Sequence, residues 1–330
     1  MSHEARHRIH TDELRATLEQ VLGQRVKSLR RRLSAYSSSY TVENLDVTTT
    51  RGKKLRLVLK DVSPPSVLAT AQQVRPHFLY HPAREIEVYQ KILNPLRCGT
   101  AQCHGAVNSP HLERHWMFLE RVEGRLLWQS GDLEKWDATA RWLAEFHSRF
   151  HGKKLPSGNF LLRYDESFFS VWIERAEQFL KKRSAAESGR FARLVKNYDR
   201  VVKRVTTLPQ TFVHGEFYAS NLIVRAGRAA QPICAIDWEM AGLGPAALDL
   251  AALTAGDWTD AEKLRFVAAY RDELGTDRSP PLMELMAAVD LCQLHLSVQM
   301  LGWAEEWSPP EKHAQNWLRT ALHLAEKLGI

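Results

Sequence analysis

Cysteine is scarce in this chain: Cys98, Cys103, Cys234 and Cys292 are the four present among 330 residues. So few thiols make no framework of bridges, and reduced cysteines are expected. The five-residue step from Cys98 to Cys103 is off the usual zinc spacing, and no fourth ligand accompanies them and His104. Ordinary loop residues are the expectation there. Long apolar runs are missing too: none is uninterrupted over the length that spans a bilayer, and Met1-Ser2-His3-Glu4-Ala5-Arg6-His7 has no apolar core of a secretory signal. A cytoplasmic chain with no membrane partner is expected. Internal repeats and low-complexity tracts are also absent, and the length is enough to bury a substantial core.

What is abundant is positive charge. The formal net charge is +7, and Arg25, Lys27, Arg30, Arg31, Arg32, Arg51, Lys53, Lys54 and Arg56 crowd the first part of the chain. Such a patch raises a nucleic-acid partner as one reading. No recognised nucleic-acid motif accompanies it, so a solvated basic face, useful also toward a nucleotide triphosphate, is the expectation. The oligomeric state is not legible from these residues.

Leu14, Leu18, Val21 and Leu22 recur at helical spacing over Asp12 to Leu22, with Thr11 or Asp12 as the cap. From Arg25 to Val47 the period falls toward two, which predicts a hairpin around Ser34 to Ser39. Leu55-Arg56-Leu57-Val58-Leu59-Lys60 alternates as a strand and ends on Lys60. The connection from Asp61 to His81 opens with Ser63-Pro64-Pro65 and predicts a short helix near Val67 to Val74. A helix then begins near Pro82; at about 100° per residue Glu85 lies at the margin of its apolar face, whereas Glu87 points away. Cys98 to Pro110 reads as a loop, and His115 to Val122 as a strand. Beyond Leu133 the pattern is mostly helical: a helix through Trp136 to His147, two more over Phe168 to Phe191 and Ala192 to Val205, and others over Ala261 to Leu274, Pro281 to Trp303 and Pro310 to Leu328. His147 reads as a packing residue. Strands first and helices later imply two lobes of an α+β fold.

The segment Thr211 to Asp249 interrupts the helices. Thr211-Phe212-Val213, Leu222-Ile223-Val224 and Ile233-Cys234-Ala235-Ile236 read as short strands, with His214-Gly215-Glu216 and Asp237-Trp238-Glu239 at their ends. Phosphoryl transfer needs metal ligands and a group that orients the attacking hydroxyl, and little other chemistry from the protein. Asn221 and Asp237 offer oxygen ligands suited to magnesium, and Glu216, five residues before Asn221, offers a carboxylate to take a proton.

His214-Gly215, Asn221, Asp237-Trp238-Glu239 and Gly244-Pro245-Ala246-Ala247-Leu248-Asp249-Leu250 resemble, in order and spacing, the catalytic segment of the aminoglycoside phosphotransferase and choline kinase-like superfamily, relatives of the protein kinases. The departure is Glu216, where that family has Asp. The resemblance implies a bilobal protein kinase-like fold: residues 1–120 as an N-terminal antiparallel-sheet lobe with a helix, binding nucleotide, and residues 121–330 as a larger, mostly helical lobe for catalysis and the acceptor. It implies ATP and Mg2+ as cofactors and a small hydroxyl-bearing molecule as acceptor. By position, Lys60 would hold nucleotide phosphates, oriented by Glu85, and backbone groups near Glu120 and Val122 would meet adenine. Asn221 and Asp237 would hold the metal, Glu216 would act as base, and His214 and Asp249 would brace the catalytic loop. The Ser34 to Ser39 loop, which lacks glycine, would cover the phosphates or serve as a plain turn. Asp165, Glu166, Asp290, Glu305, Glu306, Trp303 and Trp307 are candidates to line an acceptor pocket. A degenerate kinase fold with a binding or scaffold role is the alternative, favoured by Glu216 and the glycine-free loop.

Overall fold

A computed structural model describes residues 9–34, 39–68, 76–153, 155–156, 158–227, 231–275, 279–303 and 316–330. Helix α1 (Thr11–Leu22) buries Leu14 and Leu18 and stops at Gly23, whose φ of 61° few other residues adopt. Its cap position is His10 rather than Thr11 or Asp12; Thr11 lies inside the helix and accepts a hydrogen bond from Arg31. Strands β1 (Val26–Leu33), β2 (Thr41–Thr49) and β3 (Lys54–Asp61) run antiparallel, as the alternation predicts. Most of the loop expected to cover phosphates, residues 35–38, lies outside the described residues, as do residues 69–74 of the helix expected at Val67 to Val74.

Residues 84–96 form a helical stretch, α2, built from Arg84–Val88, a π turn at Tyr89–Leu93 and Asn94–Leu96. The loop expected over Cys98 to Pro110 is instead largely strand β4 (Cys103–Ser109), paired with β5 (Arg114–Glu120). Gly and Asn hide this strand from periodicity. Tertiary packing requires the glycine, because a Cβ on Gly105 would run into Val21 of α1.

The resulting sheet has the order β1-β2-β3-β5-β4. β5 is apolar without alternation because both of its faces are covered. Trp116 and Phe118 join Leu14, Leu18, Leu57 and Leu59 in a small core under α1, while Met117 and Leu119 join Ile86, Tyr89 and Leu93 on the α2 side. The α2-side core continues into the helical lobe, but the α1-side core does not.

In that lobe, β6 (Gly124–Leu126) is followed by helix α3 (Leu133–Ser148) and by β7 (Leu162–Arg163). Helix α4 (Glu166–Arg183) is capped by Asp165, and α5 (Ala185–Thr206) by Ser184. The break expected between Phe191 and Ala192 falls at Ser184 instead, since its hydroxyl accepts from the Glu187 amide; Lys181, Lys182 and Arg183 close α4 at the negative end of its dipole. Next come β8 (Gln210–Val213), β9 (Leu222–Arg225), β10 (Ile233–Ala235), β11 (Gly242–Pro245) and helices α6 (Ala246–Leu253), α7 (Asp260–Leu274), α8 (Leu282–Trp303) and α9 (Trp317–Lys327). The strands form two small sheets, β10-β9-β6 and β7-β11-β8. By length and composition α8 is apolar enough to cross a bilayer, yet 83% of its most apolar window is buried inside the protein. It is a core helix.

Candidate active site

The chain leaves β8 at Val213 and turns through His214 and Gly215. Gly215 has φ 85°, and a Cβ there would strike the Tyr164 hydroxyl and the Met240 carbonyl, so no larger residue passes. Asp249, in the first turn of α6, ties this turn down. Its Oδ2 accepts from the His214 amide at 2.7 Å and its Oδ1 from the Gly215 amide at 2.8 Å. His147 on α3, expected to be a packing residue, adds its Nε2–H to Asp249 Oδ2 at 3.2 Å and accepts at Nδ1 from the Tyr270 hydroxyl at 2.8 Å. The His214 ring donates from Nε2 to the Ile236 carbonyl at 2.9 Å and accepts the Glu216 amide at Nδ1, 3.2 Å away. One donor and one acceptor call for a neutral ring. Burial pushes its pKa down and keeps it so.

Glu216 follows, half-buried. The Asn221 side-chain amide donates to the Glu216 carbonyl at 3.0 Å, which commits its nitrogen and turns its oxygen the other way. The register Leu222 to Ala235 brings Asn221 beside Ile236, whose amide donates to the Asn221 carbonyl at 2.9 Å, and so beside Asp237. Asp237 sits in the left-handed region at φ 67°, ψ 65°. For a residue other than glycine this conformation costs on the order of 1–3 kcal/mol, and such strain gathers at functional sites.

Lys60 spans the lobes. Its ammonium donates to Glu85 Oε2 at 2.5 Å and to Asp237 Oδ1 at 2.6 Å, while Glu85 Oε1 accepts from the Trp238 amide at 3.1 Å. Glu85, rather than Glu87, is the partner, as the helical projection predicts; Glu87 pairs with Lys91 on the surface. Burial works against the Lys60 charge, but Asp237, Glu85 and Glu239 outweigh it and hold its pKa well above the ordinary value. Burial pushes the Glu85 carboxyl up, and the Lys60 charge offsets part of that rise.

At the junction of the lobes, the Arg121 amide donates to the Arg56 carbonyl on β3 at 3.0 Å. The Glu120 amide, at the end of β5, donates to the Gln102 carbonyl at 2.7 Å. The Glu120 side chain pairs with Arg225 at 2.8 Å. Burial works to raise its pKa, but Arg225 and the Gln102 amide hold it below the usual value.

Oxygen donors, a carboxylate and an amide, suit magnesium rather than a softer ion. Among the described residues no three His, Cys, Asp or Glu gather as a metal cage. Cys98 and Cys103 are buried, and burial raises both thiols, Cys103 to about 11.

Of the acceptor-pocket candidates, Asp165, Glu166, Asp290 and Trp303 are among the described residues. Asp165 caps α4 and Glu166 is exposed beside it. Asp290 is buried in ion pairs with Lys327 at 2.7 Å and Lys263 at 3.9 Å, and Trp303 packs on Trp172. Glu305, Glu306 and Trp307 lie outside the described residues. Two residues escaped the sequence reading. Glu239 bears electrostatically on both Lys60 and Glu85, and its place in Asp237-Trp238-Glu239 was the available signal. Arg84 is buried beside Glu85, and nothing in its spacing marks it.

The whole chain shares its fold with solved small-molecule kinases. A microcompartment-associated aminopropanol kinase superposes with a TM-score of 0.62 at 18% identity, covering 94% of each chain. Choline kinase LicA from Streptococcus pneumoniae gives 0.57 at 16% identity, covering 96% of this chain and 98% of that one. Choline kinase from Cryptosporidium parvum gives 0.59 at 11%, covering 91% and 88%. The architecture is therefore the bilobal, protein kinase-like one. The profile of the phosphotransferase enzyme family (APH) matches residues 32–288, and the chain belongs to that family. Comparison with curated proteins finds no match.

Proposed function

We propose that this phosphotransferase moves a phosphoryl group from ATP, bound with Mg2+, to a hydroxyl of a small molecule in the cytoplasm. The observation that carries the reading is the Lys60 ammonium held at once by Glu85 and Asp237, at 2.5 and 2.6 Å, across the junction of the lobes. Residues 1–120 act as the nucleotide lobe and 121–330 as the catalytic and acceptor lobe. Lys60 turns to the nucleotide phosphates, with Glu85 keeping it from swinging away. Backbone groups of Glu120 and Val122 receive adenine. Asn221 and Asp237 hold the metal, which when bound neutralises phosphate charge. Glu216 accepts the proton of the attacking hydroxyl; its added methylene, relative to Asp, requires an acceptor seated about an ångström farther back. Asp249 and His214 keep the loop carrying Glu216 in place.

Nucleotide use is supported by two further structures of similar fold, LicA with AMP and an aminoglycoside 2'-phosphotransferase with GDP. Calorimetric titration of ATP with and without magnesium tests the proposal. Saturable binding that depends on magnesium is expected. Heat-silent titrations in both conditions would discard it in favour of a kinase fold kept as a binding or scaffold protein.

A further inference from the structure

Arg84 is 4% exposed, an unusual burial for a guanidinium at the start of a helix. Nε donates to the Phe160 carbonyl at 2.8 Å, and Nη1 donates to the Leu79 carbonyl at 2.7 Å and the Glu239 carbonyl at 2.8 Å. Leu79 precedes α2, whereas Phe160 and Glu239 belong to the helical lobe, the second just beyond Asp237. A planar, multi-donor fork can reach three carbonyls at once in a way that an ammonium cannot. Neighbouring contacts run the same way: Phe78 packs edge-on against Phe168 and Trp172 of α4, and the Lys91 ammonium lies over the Phe160 ring.

We propose that Arg84 is a positioning residue that fastens the first turn of α2 to the main chain beside Asp237, and thereby holds Glu85 against Lys60. Helix α2 is then anchored to the catalytic lobe, and the geometry of Lys60 depends on a residue that touches neither Lys60 nor any phosphate. The proposal rests on the phosphotransferase reading only for its catalytic consequence, because the fastening can be measured without nucleotide.

The experiment compares wild type with Arg84→Met and Arg84→Lys. Peptide mapping after brief exposure to trinitrobenzenesulfonate reports how accessible Lys60 is, with exposed lysines such as Lys27 and Lys54 as internal references. Titrations with ATP plus magnesium and with adenosine report phosphate and base binding separately. In Arg84→Met, Lys60 labelling is expected to rise and ATP affinity to fall, each by about tenfold, the scale of one charge-assisted hydrogen bond, while adenosine affinity and reference labelling stay at wild-type levels. Arg84→Lys, which keeps the charge but not the fork, should fall between the two; it becomes the deciding variant if Arg84→Met does not fold. Wild-type Lys60 labelling in the folded variant overturns the proposal. If wild type binds no nucleotide yet Lys60 labelling still responds to Arg84, the phosphotransferase reading fails and the fastening stands.

Discussion

Asp249 and Asp237 lie in the same stretch of chain and bear on the same loop, but they are held in opposite ways. The Asp249 side chain is fully buried, and both oxygens accept from backbone amides that cannot swing aside. Asp237 keeps 27% of its side chain exposed, stands on a strained backbone and is met by the end of a flexible lysine. Two partners of Asp249 are main-chain amides, fixed dipoles that stabilise a carboxylate without moving. The partners of Asp237 are charged and exchangeable. A phosphate can displace the Asp237 oxygen at Lys60 and a cation can replace Lys60 at Asp237, whereas nothing can replace a main-chain amide at Asp249. The first arrangement is fixed; on the proposed function the second is the one traded when substrate arrives.

Substitutions should separate these two halves. The largest effect is expected for Glu216→Ala, which removes the proposed proton acceptor: turnover of an acceptor found by screening falls by about a hundredfold to ten-thousandfold with nucleotide affinity near wild type. Unchanged turnover would take Glu216 out of the mechanism. Asp249→Ala leaves two amides and His147 without their acceptor, at about 1–3 kcal/mol for each orphaned group, so urea unfolding should show a loss of about 3 kcal/mol or more. A loss well below that would mean that the loop relaxes onto water and that the brace is less fixed than its geometry implies.

Acid should act on the buried histidines. Burial pushes His295 on α8 down to about 3, and His214 is lowered for the same reason. The unfolded chain takes up these protons near pH 6.5 while the folded protein refuses them, so stability is complete above pH 6.5 and falls as the pH drops below it. From pH 6.5 to 5, His295 alone accounts for about 2 kcal/mol of the loss. His295→Leu cannot be protonated and should flatten that limb; an unaltered slope would place the acid sensitivity elsewhere. The smallest effect belongs to Asp237→Asn. Asn tolerates the left-handed backbone, so stability should hold, while magnesium-dependent ATP binding weakens by about tenfold, or about 1.4 kcal/mol. Equal binding in both proteins would move the metal site away from Asp237.

Legibility followed chain distance. His214 to Asp249 spans one short run of strands and turns, and the order of residue types there already contains the loop, its brace and its oxygen donors. Glu85 was separable from Glu87 because a helix has a fixed angle per residue. Strand β4 was not legible: its Cys-His-Gly-Ala-Val-Asn-Ser run has no alternation, and it is a strand because β5 and α1 lie against it. The break at Ser184 was missed because the apolar period continues across both helices, and one hydroxyl decides where the chain bends. That Asp165 caps a helix and Asp290 sits in ion pairs was not legible either, since composition says that a carboxylate is present but not what it faces.

By itself, then, the sequence determined the two-lobed α+β order and singled out Lys60, Glu85 and Asp237, which the structure brings together. Tertiary structure decided the rest: that Lys60 reaches Asp237 across 177 positions of chain, that Arg84 binds carbonyls of both lobes, and that His147 supports Asp249. Local periodicity reports which side of an element is buried. Only packing between elements distant in the chain determines what that side meets, because those contacts depend on all of the elements at once.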